Sequence, residues 1–429
     1  MKKIRAYRAK QVKNVCMDRV LADRDGQRVE VGLDVGKENL FVVLRWGESD
    51  FERPWKVKNP LEIGDLVELL LELNRGRQMT VALEPTGTYG DPARQAFSDA
   101  ALSVHRVSPK AAHDYGEIFD GVPSKHDGKD AAIVAELSAI GKSSPWPFEM
   151  DEWDEELSYW IDHMEARRQM LPMWYGRLEG QLARHWPEAT NTLGLTSGVL
   201  LRCLATYGGP AGLAAEDVAV EQLRRWGRGR LSKEKCEELL SGARQTVGVH
   251  QSSINVRRLQ EYAEQALECR RVVAESKKQL KLLTADHAVI QAQASMVGAV
   301  TACVLWVHLG DPRRYDSGFA YRKAMGLNLK VRSSGKYKGR LKITKRGHSQ
   351  VRRWLYFAAL RMIKEPDVKR WFEAKKAKNS ADPLEAMRAL VGVMRKLALA
   401  LYQVGACGQE FDVSLLFPGS AGSSQTKAA

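Results

Sequence analysis

Four acidic residues stand where the chain passes from one predicted element to the next. Asp34 lies in VGLDVGKENLFVVL at the end of an apolar strand, and Glu84 ends the strand MTVALE before the turn-forming PTGTYG. Open α/β sheets place ligands at the carboxyl ends of their strands, so both carboxylates could project into one crevice. Asp127 and Asp130, in KHDGKDAAIVAEL, are three residues apart at the start of a predicted helix and share one of its faces.

Four converging carboxylates repel one another unless a cation neutralises them, and hard oxygen ligands select Mg²⁺ or Mn²⁺. Two such ions can activate an attacking oxygen and stabilise a leaving oxygen in phosphodiester chemistry. Each acid also has a simpler interpretation: Asp34 as a turn residue, Asp127 as a helix N-cap, and Asp130 as a first-turn acid that interacts with the helix dipole. The combination favours a metal site.

The positive charge is concentrated in one segment. The net charge is +14, and residues 313–370 hold 18 Lys and Arg against 3 Asp and Glu, so the rest of the chain is nearly neutral. Such a density favours a polyanion, and release of counterions from phosphates makes nucleic acid the natural partner. A solvated basic face kept for solubility is the alternative.

Two serines, Ser333 and Ser334, stand in this segment directly before Gly335. On the sequence alone, a plain turn is favoured over catalysis at these serines. A catalytic serine would need help, because its hydroxyl is a weak nucleophile and no histidine adjoins it; a metal-bound water or a carboxylate of the first domain would have to act as base. The basic residues proposed to hold a scissile phosphate or nucleic acid are Arg332, Lys336, Lys338, Arg340, Lys342, Lys345, Arg346, Arg352 and Arg353. The aromatic residues Trp354, Tyr356 and Phe357 are assigned to the core rather than to base stacking.

Residues 29–148 alternate short β-branched or aromatic runs with helical periodicity, in the order three strands, helix, strand, helix, strand, helix. This order predicts an α/β layer in which the first three strands form a meander and the later strands are parallel. Residues 1–28 are interpreted as a basic N-terminal extension.

Residues 149–288 carry long charged helical sequence, and the stripe that includes Leu259, Ala263 and Ala266 predicts that two long helices pair as an antiparallel or intermolecular coiled coil. An insertion at 189–249 shows no motif that reads nucleic acid. Residues 289–415 form a mainly α C-terminal domain, which opens with two helical halves around a glycine in SMVGAVTACVLWVHLGD; such a turn can offer N–H groups to a phosphate. The small polar residues 416–429 are interpreted as a disordered tail.

The six cysteines lack zinc-binding spacing and are interpreted as reduced thiols. No stretch reaches about 18 uninterrupted apolar residues, so no membrane partner is expected. We expect a cytoplasmic, nucleoid-associated protein of a prokaryote; a mitochondrial presequence is the alternative interpretation of the basic start.

Strand order and acid placement resemble the ribonuclease H or RuvC resolvase type of fold. More closely, GLDVGKENL, ALEPTGTYG and KHDGKDAAIVAEL resemble the Asp-Glu-Asp-Asp signature of the insertion-sequence 110 (110/116/902) family of transposases, with the related Piv invertase. The C-terminal region, with its SSG, GRLKITKRG and RRWLYFAA elements, is similar to the transposase domain of that family.

The resemblance implies that Asp34, Glu84, Asp127 and Asp130 form a divalent-metal site. It also implies that a serine becomes covalently joined to DNA: Ser334, with Ser333 as the near alternative. It further implies donor and target double-stranded DNA as substrates, guidance by an element-encoded bridge RNA, and a homo-oligomer, dimer or tetramer, whose composite site joins the acidic domain of one subunit to the serine domain of another.

Two other functions fit part of the sequence. A RuvC-type, structure-specific (Holliday-junction) endonuclease would use water and the carboxylates, and Ser334 would be dispensable. A non-enzymatic nucleic-acid-binding protein would use the four acids as caps and turn residues, and metal would affect only folding.

Overall fold

The β-branched runs of the first 150 residues form one mixed sheet in the computed structural model. The structure describes residues 8–47, 50–85, 87–121, 126–148, 151–330, 333–334, 337–339, 341–377 and 382–417, with the backbone alone at 333–334, 337–338 and 414–415. The chain divides into two compact units, Met1–Met150 and Asp151–Ala429. The strands of the first unit are β1 Lys10–Gln11, β2 Val29–Val35, β3 Asn39–Trp46, β4 Asp50–Phe51, β5 Trp55–Lys58, β6 Met79–Leu83, β7 Val104–Val107 and β8 Ser143–Pro145.

The sheet order is β1-β5-β3-β2-β6-β7-β8, with β4 paired to β3. Strands β2, β3 and β5 form an antiparallel meander, and β6 and β7 then add in parallel beside β2. The predicted meander and the predicted parallel strands are both confirmed. This arrangement is consistent with the ribonuclease H-like fold expected for the first domain.

Five helices accompany the sheet: α1 Met17–Leu21, α2 Ile63–Leu73, α3 Asp91–Asp99, α4 Pro109–Gly116 and α5 Asp127–Ala139. The sequence interpretation did not include α4. Residues assigned to a basic N-terminal extension contribute the edge strand β1, and Val12, Met17 and Val20 are buried in the same core as β2 and β3. The predicted third strand, FERPWKVKN, is interrupted between β4 and β5, where Pro54 has no N–H to give to a ladder.

The second unit is mainly helical and contains two long helices. Trp153, at the start of α6, donates its indole N–H to the carbonyl of Leu283 at the end of α12, 3.1 Å away, so the two helices run antiparallel within one chain. The predicted stripe is buried at Leu259, Ala263 and Ala266. Whether the pair has coiled-coil geometry stays a prediction. The helices of this unit are α6 Glu152–His185, α7 Ala189–Thr192, α8 Gly198–Tyr207, α9 Pro210–Ala214, α10 Ala219–Gly227, α11 Lys233–Arg244, α12 Ser253–Leu283, α13 Ala288–Val297, α14 Ala299–Leu309, α15 Gly318–Ala324, α16 Ser349–Met362, α17 Pro366–Ala377, α18 Glu385–Cys407 and α19 Val413–Leu416.

The predicted insertion, 189–249, folds as helices α7 to α11 over their own apolar core with the facing parts of α6 and α12. Trp186 is fully buried at its centre. The insertion is therefore a helical subdomain on the long-helix pair.

The C-terminal core surrounds α18, which packs against α13, α15, α16 and α17. Within the described residues α18 is the one helix long and apolar enough to cross a membrane. Half of its apolar stretch is buried, and Val393, Leu397 and Leu401 are among the residues that lie in this core. The apolar composition of α18 is therefore explained by its place as the central helix of this core.

In the described parts of the stretch between α15 and α16 lie four two-residue strands: β9 Leu329–Lys330, β10 Ser333–Ser334, β11 Tyr337–Lys338 and β12 Lys342–Ile343. Strands β10 and β11 form an antiparallel pair, as do β9 and β12. The part of the basic segment between α15 and α16 thus contains two small antiparallel ladders.

Candidate active site

Sheet register brings Asp34 and Glu84 to the same edge. Strands β2 and β6 are parallel neighbours, and Leu33 pairs with Leu83. The residues that follow this pair are Asp34 and Glu84, and neighbouring strands lie about 4.8 Å apart. The two carboxylates therefore leave adjacent strands at the same level.

Both acids lie on the sheet face that α5 covers. Side chains alternate along a strand, so Asp34 shares a face with Gly32, and Glu84 shares one with Ala82. The Cα of Gly32 lies directly beneath α5: a Cβ there would come within 2.1 Å of the Ala131 carbonyl oxygen. Ala82 belongs to one apolar cluster with residues of the same helix. The sheet thus presents both carboxylates to the side on which α5 packs.

Two polar contacts fix the direction of α5. Ser138, near its end, donates a 2.6 Å hydrogen bond to the buried carboxylate of Glu30 at the start of β2. Glu136 forms an ion pair with Arg45, which lies beside Glu30 on β3. The end of α5 therefore lies over the beginning of β2, and the first turn of α5 lies over the end of β2.

Distances along the two elements agree with this direction. Asp127 precedes Ala131 by four residues, about 6 Å along a helix, and Asp34 follows Gly32 by two residues, about 6.6 Å along a strand. Since Ala131 covers Gly32, Asp127 comes level with Asp34. The structure therefore brings the elements that carry all four predicted acids to one edge of the sheet.

The start of α5 corrects one simpler interpretation. The helix N-cap is His126, whose ring nitrogen Nδ1 accepts from the Gly128 N–H at 3.2 Å, so Asp127 is the first helical residue and not the cap. Asp130 lies in the first turn, as that interpretation had it, and helix dipoles favour carboxylates there. Asp127 is exposed, whereas Asp34, Glu84 and Asp130 are half-buried.

Sequence reasoning missed two residues that hold this edge together. Asn59 donates from Nδ2 to the carbonyl of Gly36 at 3.0 Å and to that of Tyr89 at 2.9 Å, which ties the loop after Asp34 to the loop after Glu84. Lys129 is buried and pairs with Asp120 at 2.8 Å, which anchors the chain before α5. The acceptors of Asn59 lie 23 and 30 residues away in the chain, so no local sequence signal indicates them, and Lys129 finds Asp120 nine residues before it.

The donor set fits a hard divalent cation, because carboxylate oxygens are the ligands that Mg²⁺ and Mn²⁺ prefer. As the side chains stand in the described residues, no three Asp, Glu, His or Cys side chains form a group that could hold a metal ion. The fit therefore rests on where the backbone places the carboxylates and on their chemistry.

The predicted nucleophiles belong to the small ladders of the second unit. Ser333 pairs with Lys338 and Ser334 with Tyr337 in the backbone register of β10 and β11. Residues Arg332, Gly335, Lys336 and Arg340 lie outside the described residues. Lys342 is an exposed residue of β12, and Lys345 and Arg346 are exposed beyond it.

The structure gives Arg352 and Arg353 roles within the protein. Arg353 donates to the buried Glu165 carboxylate at 2.9 Å, and Arg352 donates to the Gly347 carbonyl at 2.7 Å. Burial lowers the pKa of Arg352. Both guanidinium groups hold protein neighbours, and their contact with phosphate stays a prediction.

Among the aromatic residues assigned to the core, Trp354 is buried, and its indole N–H donates to Glu165 at 2.9 Å. Tyr356 and Phe357 are half-buried and lie edge to face, with ring centres 5.6 Å apart. The core assignment holds fully for Trp354 and in part for the other two.

Comparison with known families matches both regions that carry the candidate residues. A transposase model of the Asp-Glu-Asp-Asp, IS110 type matches residues 31–187, which contain Asp34, Glu84, Asp127 and Asp130. A second model, described as the transposase IS116/IS110/IS902 family, matches residues 293–373, which contain both serines. No curated protein matches the chain. The two models together cover more than half of the sequence, and the chain belongs to the IS110/IS116/IS902 family of transposases, which cut and rejoin DNA.

Proposed function

We propose that this transposase excises and inserts its mobile element through a carboxylate metal site and a covalent serine–DNA intermediate. One observation supports the metal half of the proposal: Asp34, next to last in β2, and Glu84, directly after β6, follow the paired residues Leu33 and Leu83 of parallel neighbouring strands, on the face over which the first turn of α5 begins. Because α5 carries Asp127 and Asp130 in that turn, four acids from three elements share one edge.

Asp34, Glu84, Asp127 and Asp130 are the residues that would hold Mg²⁺ or Mn²⁺. Transposase domains of this Asp-Glu-Asp-Asp type are typically dependent on divalent metal. When bound, the metal supplies Lewis acidity and positive charge for phosphodiester chemistry. The protein's part is to keep the carboxylates in place: Asn59 ties the two loops of the edge, and the Ser138–Glu30 hydrogen bond fixes the far end of α5.

In the proposed cleavage step, the hydroxyl oxygen of Ser334 attacks the scissile phosphorus and gives up its proton to a carboxylate acting as base; Ser333 is the near alternative. One strand end stays attached as a serine phosphodiester, and the other leaves as a free hydroxyl. Attack by a hydroxyl of the new partner strand reverses the step, rejoins DNA and restores the serine. Lys342, Lys345 and Arg346 are exposed near these serines in the sequence and suit phosphate binding.

The proposed substrates are donor and target double-stranded DNA, and the proposed guide is a structured bridge RNA from the element itself. Two DNA duplexes must be handled together, so we propose that two or four copies of the chain assemble. The proposed place of action is the nucleoid in the cytoplasm of a prokaryote. The local excess of basic residues at 313–370 supports binding of a polyanion but suits DNA and RNA equally.

The metal half of the proposal is tested by strand cleavage with purified full-length protein, RNA transcribed from the flanks of the element, and labelled donor and target DNA. Asp34→Asn and Glu84→Gln keep side-chain size and remove one charge each. We expect cleavage to require Mg²⁺ or Mn²⁺, to stop with EDTA, and to fall at least 100-fold in both variants. Asp65→Asn, at an exposed first-turn acid of α2, is the matched control and should keep full cleavage.

Equal cleavage by Asp34→Asn and Asp65→Asn would overturn the metal-site assignment. Cleavage that requires metal and Asp34 but survives Ser334→Ala and Ser333→Ala would identify a water-using nuclease of the RuvC type. Binding of DNA without cleavage by any preparation would favour the non-enzymatic protein.

A further inference from the structure

A groove in the second unit lies outside the acidic edge and the serine ladders. Its volume is about 490 Å³, within the range of about 300–1,000 Å³ that is usual for ligand sites. Helices α6, α12 and α16 supply most of its lining, and Leu171, Val273 and Leu360 give it apolar surface. The groove thus has both the size and the apolar surface to receive a flat organic group.

The charge of the lining is one-sided. Arg168, Lys277, Arg361 and Lys364 line the groove, and no carboxylate lines it. Lys277 and Lys364 are exposed, and neither forms an ion pair with a carboxylate of the described residues. The groove is therefore electrostatically complementary to an anion.

The nearest buried carboxylate does not neutralise this charge. Glu165 accepts from Arg353 at 2.9 Å and from the Trp354 indole at 2.9 Å, and it lies 3.6 Å from Arg168. One carboxylate therefore faces two guanidinium groups, which leaves one positive charge beside the groove. The Arg168 guanidinium lies over the Trp354 ring, 4.8 Å from its centre, so its position is fixed by packing as well as by charge.

Aromatic surface lies among these cations. Phe357 is half-buried and lines the groove, with the Arg168 guanidinium 5.8 Å from its ring centre. Cations and an aromatic side chain in one groove are the combination that binds single-stranded nucleic acid, in which phosphates lie on the cations and a base stacks on the ring. A double helix hides its bases from such a ring.

We propose that this groove binds an unpaired nucleotide segment of nucleic acid, with phosphates on Lys277 and Lys364 and a base against Phe357. The inference rests on the proposed function in that the enzyme handles nucleic acid, but it assigns a second binding site, lined by residues of α6, α12 and α16 and by Lys364 rather than by the serine ladders. Unpaired DNA and unpaired RNA share the phosphates and bases that the groove would bind, so the experiment compares the two.

The test measures fluorescence anisotropy of full-length protein with a labelled oligo-dT, an oligo-U and a DNA duplex of equal length, over a range of salt. The variant is Lys277→Glu with Lys364→Glu, and the matched control is Lys278→Glu, an exposed lysine next to Lys277 on α12. Two lost phosphate contacts should lower the slope of log affinity against log salt by about 1.4 for single strands. The control should keep the wild-type slope.

A second substitution tests stacking. Phe357→Leu keeps an apolar side chain and removes the ring, so its affinity for oligo-dT should be about five-fold lower or more than that of the wild type. An abasic strand of the same length has no base to stack, so the variant and the wild-type protein should bind it with equal affinity. Photocrosslinking of a 5-bromouracil strand to wild-type protein should give adducts within residues 354–364. A larger effect on oligo-dT than on oligo-U would identify DNA as the ligand, and the reverse would identify RNA.

The proposal is overturned if the double variant keeps the affinity and salt slope of Lys278→Glu, or if crosslinks fall only on residues that do not line the groove. It is also overturned if the double variant changes the mass seen by light scattering without changing strand binding, because the groove would then be a contact between copies. Strand cleavage is measured separately with Asp34→Asn, so failure of this proposal and failure of the proposed function give different results.

Discussion

Among the described glycines of the first unit, Gly32 on β2 leaves the least room for a side chain, because helix α5 packs directly on it, and this gives a sharp prediction. In Gly32→Ala, the new Cβ would lie 2.1 Å from the Ala131 carbonyl oxygen and 2.4 Å from the Ala135 amide nitrogen. Both are backbone atoms, so they cannot rotate away as a flexible side chain could. Since non-bonded atoms settle at about 3.5 Å, the helix must move off the sheet by roughly 1 Å.

That shift affects stability and cleavage together. Overpacking of a dense core costs about 1–3 kcal/mol, and we expect the upper end, about 3 kcal/mol, because backbone must move. For a unit of about 150 residues, this lowers the midpoint of thermal unfolding by roughly 6–12 °C. Because α5 carries Asp127 and Asp130, a 1 Å displacement should also lower strand cleavage by about 100-fold.

Calorimetry of the full chain measures the unfolding midpoint, hydrogen exchange reports the α5 amides, and the cleavage assay reports the site. Gly64→Ala is the matched control, because Gly64 lies in α2 with open space around it, and alanine there should stabilise the helix by about 0.5–1 kcal/mol. If Gly32→Ala unfolds and cleaves like Gly64→Ala, then α5 does not lie on β2 as described, and the argument that brings the four acids together fails.

Three further predictions concern buried groups. In the wild-type protein the Glu136 side chain is 14% exposed and pairs with Arg45. Arg45→Met removes this partner and should lower the free energy of unfolding by about 3–5 kcal/mol. A denaturation midpoint equal to that of the wild type would refute this. Burial lowers the pKa of His105 below its usual 6.5, so the unfolded chain binds the proton more readily and stability falls as pH drops below about 6.5. His105→Asn should therefore reduce the change of the unfolding midpoint with pH between pH 7.5 and 5.5. An unchanged pH dependence would count against this prediction. Of the six thiols, Cys16 and Cys407 are exposed, and burial raises the pKa of Cys203 to about 12 and of Cys303 to about 11, so a thiol reagent at pH 8 should modify two cysteines quickly in the native protein and six after unfolding.

Much of the sheet could be predicted because its signals are local. VEVGLDV and MTVALE carry the β-branched residues of strands, and their order in the chain already favours parallel pairing. The positions of Asp34 and Glu84 at strand ends followed from the same pattern. The register Leu33–Leu83 confirms that the two ends lie side by side.

Contacts between distant residues could not be predicted in this way. Arg45 finds Glu136 after 91 residues and Arg353 finds Glu165 after 188, and nothing near either arginine in the sequence indicates its partner. From the sequence, Arg353 was predicted to bind phosphate because it lies in a basic run. In the structure its guanidinium group pairs with the buried carboxylate of Glu165. The two hydrogen bonds from Asn59 were not predicted for the same reason, because their acceptors lie on loops 23 and 30 residues away.

The serine segment shows where sequence reasoning depended on resemblance. Composition and spacing favoured a turn at Ser333 and Ser334, and the structure describes a short strand there. Their proposed role as nucleophile comes from the similarity of the surrounding motifs to the transposase family, whose model matches 293–373. The choice between the two serines stays a prediction.

The most direct test of the account is a search for the covalent intermediate. Full-length protein reacts with labelled donor DNA, RNA and Mg²⁺; the reaction is stopped with denaturant, the DNA and protein are digested, and mass spectrometry locates any nucleotide still attached. The account predicts a nucleotide on Ser334, or on Ser333, that is absent in Asp34→Asn and in the corresponding serine-to-alanine variant. Cut strands with free ends and no nucleotide on either serine would contradict it.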